Sequence, residues 1–351
     1  MIKRTKLQDI AKQVGVTRMT VSRYFNDPDS VAEKTRKKIK EAIEETGFIP
    51  NRVPAIMSRS ASKSIGLVIP SFSNGVFSDI IDAVDEETLK SGYSVLLTHS
   101  SYNPELEEHQ VASLLSYQVD SIILCDSVHT ELTRKRLKKC GLPVAELLSL
   151  SEDQLGINFA IDYESIFYET TGALIRCGRK HPAYFGVRMD PRTKKRRDGY
   201  LRAVKEAGLD DLSFATANRS NFTLGRDMMI DVLREHPEVD AVLCTNDDVA
   251  VGALIACQAL NIRVPEQISV IGCNGLRFCD ASVPKLCSIK TPRFEIASAA
   301  VKEILGQLEN GKIEPVFKEF KVEFLAGESV TKEEQQELSA LFKGDTKNGL
   351  K

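Results

Sequence analysis

The chain has 351 residues, 42% apolar and 27% charged, and a formal net charge of −2. That length exceeds one ordinary core and makes two or three domains the expectation. No apolar run approaches the ~18 residues that cross a bilayer, and Met1-Ile2-Lys3-Arg4 lacks the apolar core of a secretory signal, so a cytoplasmic chain with no membrane contact is expected.

The net charge hides an asymmetry. Residues 1–60 carry 13 Lys and Arg against 7 Asp and Glu, a net +6, which leaves −8 on the remainder. A basic head on an acidic body suits a polyanionic partner for the head alone. Eight cysteines lie scattered in apolar segments such as "SIILCDS" and "ACQAL", with no C-x-x-C pair and no matching His spacing. They read as small reduced core residues, with no metal, cofactor or disulfide framework implied.

In chain order, Leu7, Ile10, Ala11 and Val14 form an i, i+3, i+4, i+7 stripe, and Gly15 ends that first helix. Thr17 is a good N-cap for a second helix, on which Arg18 with Ser22 and Met19 with Arg23 adjoin while Val21 and Phe25 turn away. A polar turn, Asn26 to Ser30, leads to a third helix from about Ala32 to Thr46, stopped by Gly47. "IPNRVPAIMSRSASKS" has linker composition, with a short helix allowed after Pro54. From Ser64 the runs "IGLVI", "YSVLL", "SIILC", "PVAELL", "NFAID", "AYFGV", "AVLCT" and "SVIGC" alternate with helical patterns, which means βαβ units. Some 270 residues of this predict two similar lobes with parallel sheets and a cleft between them. The tail "TKEEQQELSALFKGDTKNGLK" is too short for sustained heptads.

Two helices joined through a glycine turn, the second exposing Arg18, Met19, Ser22 and Arg23, fit a helix-turn-helix that enters the DNA major groove. Arg18 can offer two hydrogen bonds to guanine, and Met19 can touch a thymine methyl. The segment "LQDIAKQVGVTRMTVSRYFN", then "VAEKTRKKIKEAIEETGFIPNR" and "SIGLVIP", resembles the LacI/GalR family of sugar-responsive transcription repressors. The likeness continues through "GRKHPAYFG", "RRDGY", "CTNDDVAVGAL", "RVPEQISVIGCNG" and "IKTP" to about residue 325. It implies a small all-α helix-turn-helix domain (1–50), a hinge helix and linker (51–63), and a two-lobed α/β effector-binding and dimerisation domain related to periplasmic binding proteins (64–330). A polar tail (331–351) follows. It also implies a homodimer on pseudo-palindromic double-stranded operator DNA. Base reading falls on Arg18, Met19 and Arg23, with Thr17, Thr20 and Ser22 toward the backbone. Asn51, Arg52 and the wedge residue Met57 match the family's hinge helix.

Ligands of open α/β sheets sit beyond the carboxyl ends of the strands. Ser71 and Phe72, Asp190 and Arg192, Asn246 and Asn274 follow such runs. The resemblance adds Arg196 from R-x-x-G-Y as an effector contact and Phe222 as the ring-stacking aromatic, with Asn246 as the cleft amide. Asn274 stands where repressors of neutral sugars commonly have Asp, and Arg188, Arg192 and Arg196 crowd one stretch. "IPNRVP", "HTELTRKRL", "VAELL", "RMDPRT" and "CTNDDVAVGA" most resemble the gluconate and idonate operon regulators, so the expected effector is a sugar acid, gluconate or a close aldonate. A phosphorylated sugar acid or a neutral sugar is the alternative. There is no G-x-x-x-x-G-K-[ST], G-x-G-x-x-G after a strand, H-E-x-x-H or G-x-S-x-G, and "NDD" at 246–248 lies where helix capping explains it, so no enzyme is expected. A free-standing solute-binding protein would match the body but not the basic head.

Overall fold

The computed structural model describes residues 5–49 and 62–342, and the chain divides into two compact units, Met1–Ser62 and Lys63–Lys351. In the first unit α1 (Leu7–Val14) ends at Gly15, whose φ of 74° is left-handed backbone that glycine adopts without strain. Thr17 starts α2 (Arg18–Asn26) by accepting the Thr20 N–H at 3.1 Å. A 3-10 turn at Pro28–Ser30 leads to α3 (Glu33–Thr46), which ends at Gly47 (φ 61°). Helices of eight and nine residues are too short to persist alone in water. Their helicity rests on the shared core of Ile10, Ala11, Val21, Ile39 and Ala42, with Phe48 closing it.

The second unit has two lobes. Lobe 1 comprises β1 (Ser64–Ile69), α4 (Ser78–Lys90), β2 (Ser94–His99), α5 (Pro104–Ser116), β3 (Ser121–Leu124), α6 (Glu131–Lys139), β4 (Val144–Leu147) and β5 (Ile157–Ala160). Lobe 2 takes α7 (Tyr163–Arg176), β6 (Pro182–Val187), α8 (Pro191–Glu206), β7 (Ser213–Thr216), α9 (Phe222–Glu235), β8 (Ala241–Cys244), α10 (Asp247–Ala259), β9 (Ser269–Asn274) and β10 (Cys287–Lys290). The chain returns to lobe 1 for α11 (Arg293–Asn310) and β11 (Val316–Glu319), then ends the described part in lobe 2 with β12 (Glu323–Leu325) and α12 (Lys332–Leu341). The two six-stranded sheets have the orders β11-β5-β4-β3-β1-β2 and β12-β10-β9-β8-β6-β7.

All pairings are parallel except β12, which runs antiparallel to β10. The central strands are buried along their whole length, because helices cover both faces, and this gives their unbroken apolar runs. β7, β11 and β12 carry no such run: they are sheet edges with partly exposed side chains. Six of the eight free cysteines are buried, whereas Cys140 and Cys177 are only half-buried. Among the described residues no helix is long and apolar enough to cross a membrane.

Candidate nucleic-acid interface and effector cleft

On α2 the packed face is Val21, fully buried, with Phe25 lying 6.1 Å from Phe48 between ring centres. The opposite face holds Arg18, Met19 and Arg23 in solvent, and Met19 is 67% exposed, an unusual place for an unbranched apolar side chain. Thr17 and Thr20 spend their hydroxyls on each other at 2.9 Å as part of the cap, and Ser22 is half-buried. Asn51, Arg52 and Met57 lie outside the described residues.

In the second unit the strand ends of the two lobes face one another. Asp190 caps α8 by accepting the Thr193 N–H at 2.9 Å, and Pro191 takes the first helical position. Arg192 and Arg196 follow at a spacing of four, so one helix face carries both into the cleft. They are not a solvated loop: they are 6% and 4% exposed. Arg192 crosses to lobe 1, donating to the Cys125 carbonyl at 2.8 Å, and lies 5.7 Å from the centre of the Phe77 ring. Arg196 lies over Tyr163 at 4.1 Å and reaches Thr245 Oγ1 only at 3.4 Å. Among the described residues neither Arg192 nor Arg196 forms an ion pair, and the Arg196 Nε has no hydrogen-bond partner.

Asn246 occupies the N-cap position of α10 yet makes no side-chain cap bond, which corrects the capping explanation of "NDD". Its Oδ1 accepts from Asn274 Nδ2 at 2.9 Å, and its Nδ2 donates to Ser220 Oγ at 3.0 Å. Asp190, Arg192, Arg196, Asn246 and Asn274 therefore line one cavity of about 20 Å³. Ser71 and Phe72 instead line a neighbouring hollow of about 360 Å³ with His99, Arg188 and Arg219. Phe222 starts α9, stands 43% exposed and packs edge-on against Phe278 at 5.2 Å, outside the cavity. A larger hollow of about 570 Å³ on α6 is an exposed groove between lysines and Asp153 that shares no lining residue with the cavity.

The cavity also holds residues that the sequence did not single out: Phe77, Tyr102, Leu148 and Tyr163. The last three follow β2, β4 and β5, so the strand-end rule applied to every strand would have found them. Arg188 joins them with its guanidinium 4.2 Å above Tyr102.

Both deep arginines keep their charge against burial, with different neighbours: Cys273, Tyr163, Tyr184 and Asp190 together raise the pKa of Arg196. Burial opposes the charge on Arg192, but Asp190 and Asp126 beside it reverse the effect and raise its pKa. Burial likewise works against an ionised Asp190, yet Arg192, the Thr193 N–H and Arg196 hold its pKa below the ordinary value. Burial pushes the Asp126 carboxyl up against the pull of Arg192. Behind the cavity, burial drives Asp247 up to about 7 although the Ser288 hydroxyl (2.5 Å) and the Leu276 N–H (2.7 Å) bond to it. Three guanidinium groups against one lining carboxylate leave the cavity net positive.

Residues 62–308 match the family described as periplasmic binding proteins and sugar binding domain of LacI family, and residues 6–51 match bacterial regulatory proteins, lacI family. The chain belongs to the LacI family. Its relatives include the HTH-type transcriptional regulator GntR of Escherichia coli (strain K12), 37% identical over 313 residues, which covers 89% of this chain and 95% of that one. The regulator IdnR of the same organism is also 37% identical, over 88% of this chain and 93% of its own length. A crystal structure of a LacI-family transcriptional regulator from Silicibacter pomeroyi superposes with a TM-score of 0.86 at 25% identity, covering 93% and 99% of the two chains. This LacI-family member is a DNA-binding transcriptional regulator, and its relatives are regulators rather than enzymes.

Proposed function

We propose that this regulator is a dimeric repressor that binds a pseudo-palindromic operator through Arg18, Met19 and Arg23, and whose operator binding is controlled by a sugar acid, gluconate or a close aldonate, held in the interlobe cleft. The observation that carries the effector class is Arg196. Its guanidinium is 4% exposed, its Nε has no hydrogen-bond partner and its bond to Thr245 is long, so a buried cation at the cavity wall keeps donor capacity for an anion. A carboxylate supplies the two acceptor oxygens that a guanidinium fork fits. Asn246 and Asp190 are placed to hold hydroxyls, and the Tyr163 and Phe77 rings to cover the carbon chain.

A cavity of about 20 Å³ has room for about one water molecule, so a six-carbon acid enters only when the lobes separate. Binding is therefore linked to the relative position of the lobes, and a ligand that prefers one arrangement shifts the population toward it. We infer that this shift releases the operator. The test is a thermal-shift and operator-release panel of gluconate, idonate, 6-phosphogluconate, glucose and ribose. Gluconate or idonate should stabilise the protein and release DNA; glucose acting equally well would end the charge argument.

A further inference from the structure

We infer that His129 is a positioning residue of the cleft: clamped between Glu107 and Glu146, it fixes together the two lobe-1 loops, residues 125–130 and 148–156, that face the lobe-2 arginines. The inference rests on the cleft being the effector site.

His129 is fully enclosed, and both ring nitrogens meet carboxylates, Nδ1 with Glu107 Oε1 at 2.5 Å and Nε2 with Glu146 Oε1 at 3.3 Å. Glu107 belongs to α5 and Glu146 to β4, so one imidazole joins a helix to a strand beneath a loop. A carboxylate only accepts, so two such partners call for a proton on each ring nitrogen, that is, an imidazolium. A buried ionic triad is a poor route to stability, since apolar packing of the same volume does as well. What it adds is placement.

Its reach into both loops is explicit. On one side His129 belongs to the segment whose first residue, Cys125, gives its carbonyl to Arg192, and whose Asp126 feels the same guanidinium. Thr130 extends the anchorage by donating to Glu108 at 2.6 Å. On the other side Glu146 accepts the Ser151 hydroxyl at 2.9 Å and the Leu155 N–H at 2.7 Å, which suspends the loop that supplies Leu148 to the cavity. Without the central cation Glu107 and Glu146 would repel, and both loops would lose a common anchor.

The charged groups around the imidazole are Glu107 and Glu108 from α5, with Arg136 of α6 on Glu108 at 3.4 Å, Glu146 from β4, and Asp126 from its own loop with Arg192 beyond it. Burial alone would lower the His129 pKa; Glu107 and Glu146 overcome it and lift it to about 9. A pKa raised on folding gives stabilisation that is complete below the unfolded value of 6.5 and lost as pH rises through about 9.

The experiment compares full-length wild type with His129→Gln and Ser151→Ala by amide hydrogen exchange and gluconate titration. In His129→Gln exchange should rise in 125–130 and 148–156 together while β8 and β9 keep their protection, and gluconate affinity should fall about tenfold, as expected of a network that touches no ligand. Wild-type affinity should decline as pH passes about 9, and the variant should lack that step. Should His129→Gln fail to fold, Ser151→Ala reads out the Glu146 limb alone, loosening 148–156 only. Loosening of one loop without the other in His129→Gln, or a wild-type pH step surviving in it, overturns the inference. A wild type that binds no aldonate refutes the effector reading instead, and the exchange comparison still decides the role of His129.

Discussion

Arg192 and Arg196 sit one helical turn apart, both buried, and their replacement by methionine should separate two roles. Arg196 has a long bond, 3.4 Å to Thr245, a contact with the Cys273 thiol, and the rings of Tyr163 and Phe167 at 4.1 and 5.9 Å. Arg196→Met removes a buried cation and keeps most of the packing, so folding stability should change by only about 1 kcal/mol, the worth of the lost cation–π contact. The loss of two charge-assisted hydrogen bonds to a ligand carboxylate, at roughly 1.5–3 kcal/mol each, should weaken gluconate by about two to four powers of ten. Arg192→Met leaves the half-buried Asp190 and Asp126 without their neighbouring cation and the Cys125 carbonyl without its donor, so it should destabilise the fold by about 2–3 kcal/mol. Denaturant melts and calorimetric titration of both variants check this. An Arg196→Met protein that binds gluconate within a few-fold of wild type, or an Arg192→Met protein as stable as Arg196→Met, would refute the division of labour.

Arg18→Ala should cost about 1–3 kcal/mol at particular operator base pairs and little elsewhere, as read by binding to singly substituted duplexes. Asp247, lifted from 3.8 to about 7, binds its proton more tightly when folded, so stability should fall as pH rises across that interval; Asp247→Asn should flatten the decline in urea melts. Arg188 has φ 68°, so Arg188→Gly should be more stable than Arg188→Ala by about 1 kcal/mol, the reverse of the usual order, in the same assay.

The head was legible because its signals are local: a stripe at Leu7 to Val14, a glycine at the turn and a threonine cap determine two helices without help from distant residues. The central strands were legible because burial on both faces leaves no polar position. β7, β11 and β12 were not, since an edge strand such as Val316–Glu319 is mostly exposed and reads as loop. β10 hid for another reason. Its Ser288 breaks the apolar pattern because the hydroxyl is consumed by the buried Asp247. The positive character of the cleft could be read from Arg188, Arg192 and Arg196 in sequence, but not that Asp126 acts on Arg192, because Asp126 comes from the other lobe. His129 lies 22 residues from Glu107 and 17 from Glu146 in sequence, and only the fold of lobe 1 brings the three together.

Asn274 shows how a residue chosen for charge can be required twice. From the sequence its amide would spare the proposed carboxylate ligand the repulsion of an Asp. In the structure it also begins a run of donors: Asn274 Nδ2 gives to Asn246 Oδ1, Asn246 Nδ2 to Ser220 Oγ, and the Ser220 hydroxyl to Asp248. Each step has one donor and one acceptor, and the run ends on a carboxylate that only accepts. An ionised Asp at 274 has no proton to give, so Asn246 would have to turn its amide over and abandon Ser220. The backbone at 274, with φ 107° and its carbonyl bonded to Arg293, holds the buried side chain at the cavity wall. The relay holds Asn246 and Asn274 in one orientation, and that orientation presents the cavity with amides beside three guanidinium groups. A polar wall without added negative charge is what an anion needs there, and the hydrogen-bond geometry of the neighbouring side chains enforces it independently of any ligand.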